Sequence, residues 1–211
     1  MGDSWTFARG QDEDVNREIN ISNRWSGLVA SHFGLEEVNN SQAGIGNLSI
    51  CQRTYRDVLD FVSKGKKVLA VISYSDPNRI EVYNKEHSRL IALNESHWDI
   101  EFFKTYMTQY YSQEANIEQT IFYITATRIL FERYNVDYVD NFAFTKILDI
   151  PYFSNKTMLD KTLCDIAGDE GRFLLHYKRE PPYSPYGHAN VLGNVKIANA
   201  VIEKITKEYI V

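Results

Sequence analysis

The sequence predicts an α/β fold in which a sheet is covered by helices on both faces. Val68-Leu69-Ala70-Val71-Ile72 is apolar without a break, as a parallel strand buried on both sides must be. Val136–Phe144 is a second good strand candidate. Segments with apolar residues at helical spacing stand before, between and after these two, and such alternation marks a helix-covered parallel sheet.

Taken in order, residues 7–13 are polar and read as a loop, with acids at 12–14 suited to a helix's first turn. Val15, Ile19, Trp25, Leu28, Val29 and Phe33 then predict a helix over about 14–33, stopped by Gly34. Residues 35–41 read as a short, weak strand. Gly44 and Gly46 mark a loop where backbone approaches something closely. Leu48, Cys51, Tyr55, Val58, Leu59 and Val62 predict a helix ended by Gly65. The 68–72 strand runs into the turn Ser73-Tyr74-Ser75-Asp76-Pro77. In open parallel sheets, ligands bind beyond such carboxyl ends.

Arg79–Tyr83 and Arg89–Leu93 flank five polar residues and predict a hairpin. Helices are expected over 97–111 and 115–134. The second is apolar nearly all round, which predicts burial. A short helix near 156–166 follows the 136–144 strand. Residues 167–190 read as a long surface loop, and the last helix starts near Val191.

The 211 residues suit one domain over 1–211 with a real core. A net charge of -5 argues against a nucleic-acid partner. Cys51 and Cys164 have no CxxC spacing and read as buried thiols. No His/Asp/Glu spacing suggests a metal, and no cofactor is called for. No stretch suits a membrane span and the start lacks signal-peptide features, so the default location is the cytoplasm. Fourteen tyrosines and eleven phenylalanines suit a large core or an aromatic-lined cleft for sugars. Met1-Gly2-Asp3-Ser4-Trp5-Thr6 also fits the myristoylation pattern.

Three stretches carry the chemistry. Gly2-Asp3-Ser4 makes a tight turn whose serine becomes a nucleophile if a histidine reaches it. Ala43-Gly44-Ile45-Gly46-Asn47 is the glycine loop. His188-Ala189-Asn190-Val191-Leu192-Gly193 opens the last helix. Together, and in this order, they resemble the blocks of the SGNH (GDSL-type) hydrolases and span nearly the whole chain. GDS and HxNxxG each occur by chance, so their conjunction carries the resemblance.

The resemblance implies a flavodoxin-like three-layer α/β/α fold with a mostly parallel sheet of about five strands and a hairpin inserted after the third. It implies hydrolysis of a small-molecule or glycan ester. Ser4 would attack the carbonyl, and His188 would act as general base and then acid. The N–H groups of Ser4 and Gly44 would bind the oxyanion. Asp3, Asn47 and Asp76 would support the site. The Ser75-Asp76-Pro77-Asn78-Arg79 form with its hairpin resembles small members associated with bacteriophages, which would allow a virion-associated location.

Four departures stand out. Tyr186 and Pro185 occupy the positions where the triad aspartate is usual. Another acid then serves, or a Ser–His dyad works with a backbone carbonyl, or activity is low or absent. Ser75 replaces the oxyanion-binding asparagine. Ala189 and Asn194 replace a usual proline and histidine. Only Met1 precedes Gly2, so the first, central strand is truncated. A start codon placed too late explains this, or the sheet closes differently and the site is damaged.

Beside the catalytic readings stand plainer ones. Ser4 suits a turn or N-cap, and His188 suits the start of the last helix. Asp76 suits an Asp-Pro turn, and Arg79 a salt bridge. His32, His87, His97 and His176 read as surface or core. The functional expectation is a serine esterase, with a non-catalytic binding or assembly module of the same fold as the alternative.

Overall fold

The computed structural model describes residues 2, 23–42, 44–85, 89–93, 101–144, 147, 157–168 and 189–209. Its elements are α1 (Trp25–His32), α2 (Asn47–Ser63), β1 (Leu69–Tyr74), β2 (Ile80–Asn84), β3 (Arg89–Leu93), α3 (Glu101–Gln109), α4 (Gln113–Arg133), β4 (Asp137–Phe142), α5 (Leu163–Ala167) and α6 (Val191–Tyr209). β1 and β4 pair in parallel, from Leu69 opposite Asp137 to Tyr74 opposite Phe142. A parallel bridge joins Asp140 to Met158. β2 and β3 form the expected antiparallel hairpin.

The period-2 alternation of a strand sorts the core into two halves. Ala70, Ile72, Tyr74, Tyr138 and Phe142 pack on one side against Ile50 and Val58 of α2 and Ile124 and Phe131 of α4. Val139 and Ala143 pack on the other against Trp25 and Val29 of α1, Leu163 of α5 and Ile197 and Val201 of α6. The fold is therefore a three-layer α/β/α arrangement around a parallel sheet.

Three helices stop in the same way. The Leu35 N–H reaches the Ala30 carbonyl at 2.9 Å and the Gly34 N–H reaches Ser31 at 3.2 Å, with Gly34 at φ +65°. Gly65 closes α2 through the same pair of bonds. This is the Schellman arrangement, which satisfies otherwise orphaned carbonyls and favours glycine. Asn135, at φ +51°, closes α4 likewise.

One ion pair crosses the core. Arg128 of α4 donates to both carboxylate oxygens of Asp140 on β4, at 2.8 and 3.0 Å, and neither side chain is exposed. Burial alone would weaken the guanidinium's charge, but the bonded carboxylate outweighs it and leaves the pKa raised.

Several expectations need correction. Residues 35–41 form no strand. Side chains hold this segment instead: Glu37 pairs with Arg24 at 2.8 Å and Asn39 donates to Ser26 at 3.0 Å. The helix expected over 14–33 begins only at Trp25 among the described residues, because Asn23 and Arg24 form a turn; 14–22 lie outside them. The helix expected over 156–166 starts as extended chain at Met158 and coils only from Leu163, where Thr162 and Asp165 form a capping box. α4 is not buried all round. Phe122 and Ile129 are exposed, while Asn116, Thr120, Thr127 and Arg128 are buried. Its inward stripe is half polar, and Thr120, Thr127 and Arg128 meet Asn47, Cys51 and Asp140 there. Cys51 and Cys164 are buried thiols in no disulfide, and desolvation raises the Cys51 pKa. No helix among the described residues is long and apolar enough to cross a membrane.

Candidate active site

Three parts of the chain meet at the carboxyl end of the sheet. α2 is anchored there by its first residue. The Asn47 carboxamide accepts from the Ser75 N–H at 2.8 Å and donates to the Ser75 carbonyl at 3.1 Å and the Thr120 hydroxyl at 3.2 Å. Ser75 lies just past the end of β1, so the loop before α2 sits at that end too. α6 runs the opposite way to β4. Its Tyr209 hydroxyl donates to the Tyr138 carbonyl at 2.6 Å and accepts from the Tyr138 N–H at 3.0 Å, at the amino end of β4. The start of α6 therefore lies at the carboxyl end.

That start is tightly specified. Asn190 caps the helix, accepting from the Gly193 N–H at 2.9 Å. Asn194 donates to the carbonyls of Ala189 and Asn190 at 3.2 and 2.9 Å. It also accepts from the Trp25 N–H at 3.0 Å, tying α6 to α1. Asn194, where the resembled block commonly has histidine, thus holds the stretch that follows His188. Ala189 is buried beneath it.

The glycine loop packs on the turn after β1. A Cβ on Gly46 would lie 2.6 Å from the Arg79 carbonyl oxygen and 2.9 Å from Glu81 carbons, so only glycine fits. Arg79 donates to the Ile45 carbonyl at 3.3 Å. The Glu81 carboxylate accepts from the Ser49 N–H at 2.8 Å, in the first turn of α2, where an anion is favoured. Glu81 and Thr120 were not singled out in the sequence. Their partners lie 32 and 73 residues away, beyond any local signal.

Of the expected site residues, Gly44, Asn47, Ser75 and Asp76 are described. Gly44 is exposed at φ +79°, and its N–H bonds to no described residue. Ser75 is only 1 % exposed and its N–H is taken by Asn47, so any donation to an oxyanion falls to its hydroxyl. Asp76 builds the turn, its carboxylate accepting from the Asn78 N–H at 2.8 Å and its carbonyl from the Arg79 N–H at 3.1 Å. Tyr111 closes the turn from outside with a 2.8 Å bond to Asn78. Asp3, Ser4 and His188 lie outside the described residues. Gly2 is described: it is buried, and its carbonyl accepts from the Gln42 N–H at 3.2 Å, two residues before Gly44.

The starts of α2 and α6 both lie at this end, and the first turn of α2 already holds the Glu81 carboxylate. The exposed Gly44 lies three residues before α2. Such a place suits an anion or a developing oxyanion.

No protein-family model matches the sequence, and no curated protein does. Among solved structures, the chain is similar to a protein of Desulfitobacterium hafniense DCB-2 assigned to the lipolytic G-D-S-L family. The two superpose with a TM-score of 0.52 at 13 % identity, over 97 % of this chain and 96 % of that one. The likeness is one of fold.

Proposed function

We propose that the protein is a serine ester hydrolase acting on an acyl ester of a carbohydrate or similar alcohol. The carrying observation is the convergence of the chain around Gly2, the Gly44–Asn47 loop, the Ser75 turn and the start of α6 at one end of the sheet. Gly2, the Gly44–Asn47 loop and the start of α6 belong to or adjoin the three motif stretches, about 40 to 190 positions apart in sequence. The fold shared with a protein of the lipolytic G-D-S-L family supports the same reading.

In this mechanism the Ser4 oxygen attacks the acyl carbon while its proton passes to His188. The oxyanion receives hydrogen bonds from the Ser4 and Gly44 amides, with the Ser75 hydroxyl as a third donor. His188 returns the proton to the departing alcohol, and water then cleaves the acyl-enzyme by the reverse sequence. Asp3 and Asp76 shape the turns beside the serine. Asn47 fixes the Ser75 turn against α2.

One observation favours a rival: Ser75 stands in the oxyanion donor's place, yet it is buried with its amide engaged. On that reading the fold serves as a binding or assembly module. Turnover of p-nitrophenyl acetate decides between them. Ser4→Ala should abolish it, and His188→Ala should lower it by about 10³-fold or more. A folded protein that neither hydrolyses the ester nor reacts at Ser4 with a fluorophosphonate is the module instead.

A further inference from the structure

α3 and the residue after it carry three aromatic side chains along one side. Phe102, Tyr106 and Tyr110 recur every four residues, the spacing that sets side chains one above another on a helix. The Tyr110 N–H reaches the Tyr106 carbonyl at 2.9 Å, so the helical path continues past Gln109. Four residues rise about 6 Å, which makes the stripe about 12 Å long. Phe102 is 54 % exposed and Tyr110 is 69 % exposed, with Tyr106 half-buried between them. The core-facing side of α3 is a different one, where Phe103 is buried. A row of aromatic rings turned to solvent marks a binding surface rather than a core.

The stripe ends beside the candidate active site. Tyr111, the residue after Tyr110, donates its hydroxyl to Asn78 at 2.8 Å. Asn78 belongs to the turn that Asp76 builds just past the carboxyl end of β1. Burial raises the Tyr111 pKa, and the nearby Asp76, Glu114 and Tyr106 raise it further, so these groups are neighbours. Phe102 lies about two helical turns back from that contact.

The residues beside the rings narrow the ligand class. Thr105 and Gln109 stand at i+3 and i+7 from Phe102, on the same side of the helix. No aliphatic side chain interrupts this row of ring, hydroxyl and amide. It suits a ligand with flat apolar faces and a polar rim. A sugar ring is built that way, with C–H groups on its faces and hydroxyls around its edge. An apolar helix or a lipid would cover Thr105 and Gln109 without pairing their polar groups, which is costly. A nucleic acid strand also stacks on aromatic rings, but it needs basic partners, and the chain carries a net charge of -5.

We infer that Phe102, Tyr106 and Tyr110 form a glycan-binding platform on which successive rings of a neutral sugar chain stack, leading toward the turn at Asp76. The ester would then sit on an oligosaccharide or polysaccharide rather than on a single sugar. Its delivery to Ser4 rests on the esterase reading above, whereas the binding of sugar does not. The platform is longer than one sugar ring, so affinity grows with chain length. Each ring contributes by stacking, as aromatic faces do with other flat partners.

Calorimetric titration of the full chain with β-linked hexasaccharides of glucose, xylose, galactose and N-acetylglucosamine tests this. At least one should bind, and more tightly than its own disaccharide. Phe102→Ala and Tyr110→Ala should each weaken that hexasaccharide by about 10-fold. Tyr134→Ala removes an exposed tyrosine where α4 ends, at the amino end of the sheet, and should leave binding unchanged. A folded chain that binds none of the four sugars overturns the platform, and so does binding that both stripe variants retain in full. Self-association or capture by phosphatidylcholine vesicles that the stripe variants abolish, without sugar binding, also overturns it, by giving the stripe to a second copy or to lipid. Sugar binding without turnover of p-nitrophenyl acetate supports the platform and defeats the esterase reading alone. Turnover without sugar binding does the reverse.

Discussion

Asn47→Ala removes the clamp between α2 and the turn after β1. The side chain makes three buried hydrogen bonds, to the Ser75 N–H, the Ser75 carbonyl and the Thr120 hydroxyl. A typical intramolecular hydrogen bond contributes about 1 kcal/mol net, and a buried group left unpaired costs about 1–3 kcal/mol. Loss of all three should destabilise the fold by about 3 kcal/mol, or roughly 6–12 °C in a chain of this size. Asn47→Asp keeps the acceptor for the Ser75 amide but sets a carboxylate oxygen against the Ser75 carbonyl. Burial and that contact raise the pKa of the new acid in the fold. A raised folded pKa gives stability that is present at low pH and lost as pH rises. The aspartate variant should therefore be closer to the parent at pH 5 than at pH 7. Urea unfolding at both pH values reads this directly. In the esterase reading, the displaced turn also lowers kcat by up to about 10²-fold with KM little changed. An alanine variant within about 1 kcal/mol of the parent would refute the clamp.

Other outcomes follow from single contacts. Gly46→Ala should cost about 1–3 kcal/mol in urea unfolding, because its Cβ meets the Arg79 backbone rather than a yielding side chain. Arg128→Met alone should cost about 3–5 kcal/mol by leaving Asp140 charged and buried, and Arg128→Met with Asp140→Leu should recover most of it. A double variant no better than the single would mean that the pair is not compensating. Burial raises the pKa values of Tyr74, Tyr138 and Tyr209 in the fold. Their contribution is complete below the unfolded tyrosine pKa, about 10, and is lost as pH rises beyond it. Urea midpoints should hold between pH 8 and 9 and fall from about pH 10, less steeply in Tyr74→Phe. A flat profile to pH 11 would show that these phenols ionise freely.

Local chemistry settled much of this protein. A glycine that can adopt positive φ ends α1 and α2 where it stands, whatever surrounds them. An unbroken apolar run such as Val68–Ile72 has few ways to exist in water except as a strand covered on both faces. The hairpin, the last helix and the alternation that makes three layers were legible for the same reason: each depends on spacing within a dozen residues. Tertiary structure decided the rest. Residues 35–41 have a strand's composition in part, but a strand exists only when a neighbouring backbone pairs with it, and none is described beside them. The inward face of α4 is not its most apolar one, since Asp140 and Asn47 supply partners for Arg128 and Thr120 from other elements. Glu81 caps a helix that begins 34 positions earlier. Such pairings carry no local signature, because their energy comes from groups that only the folded chain brings within hydrogen-bonding distance.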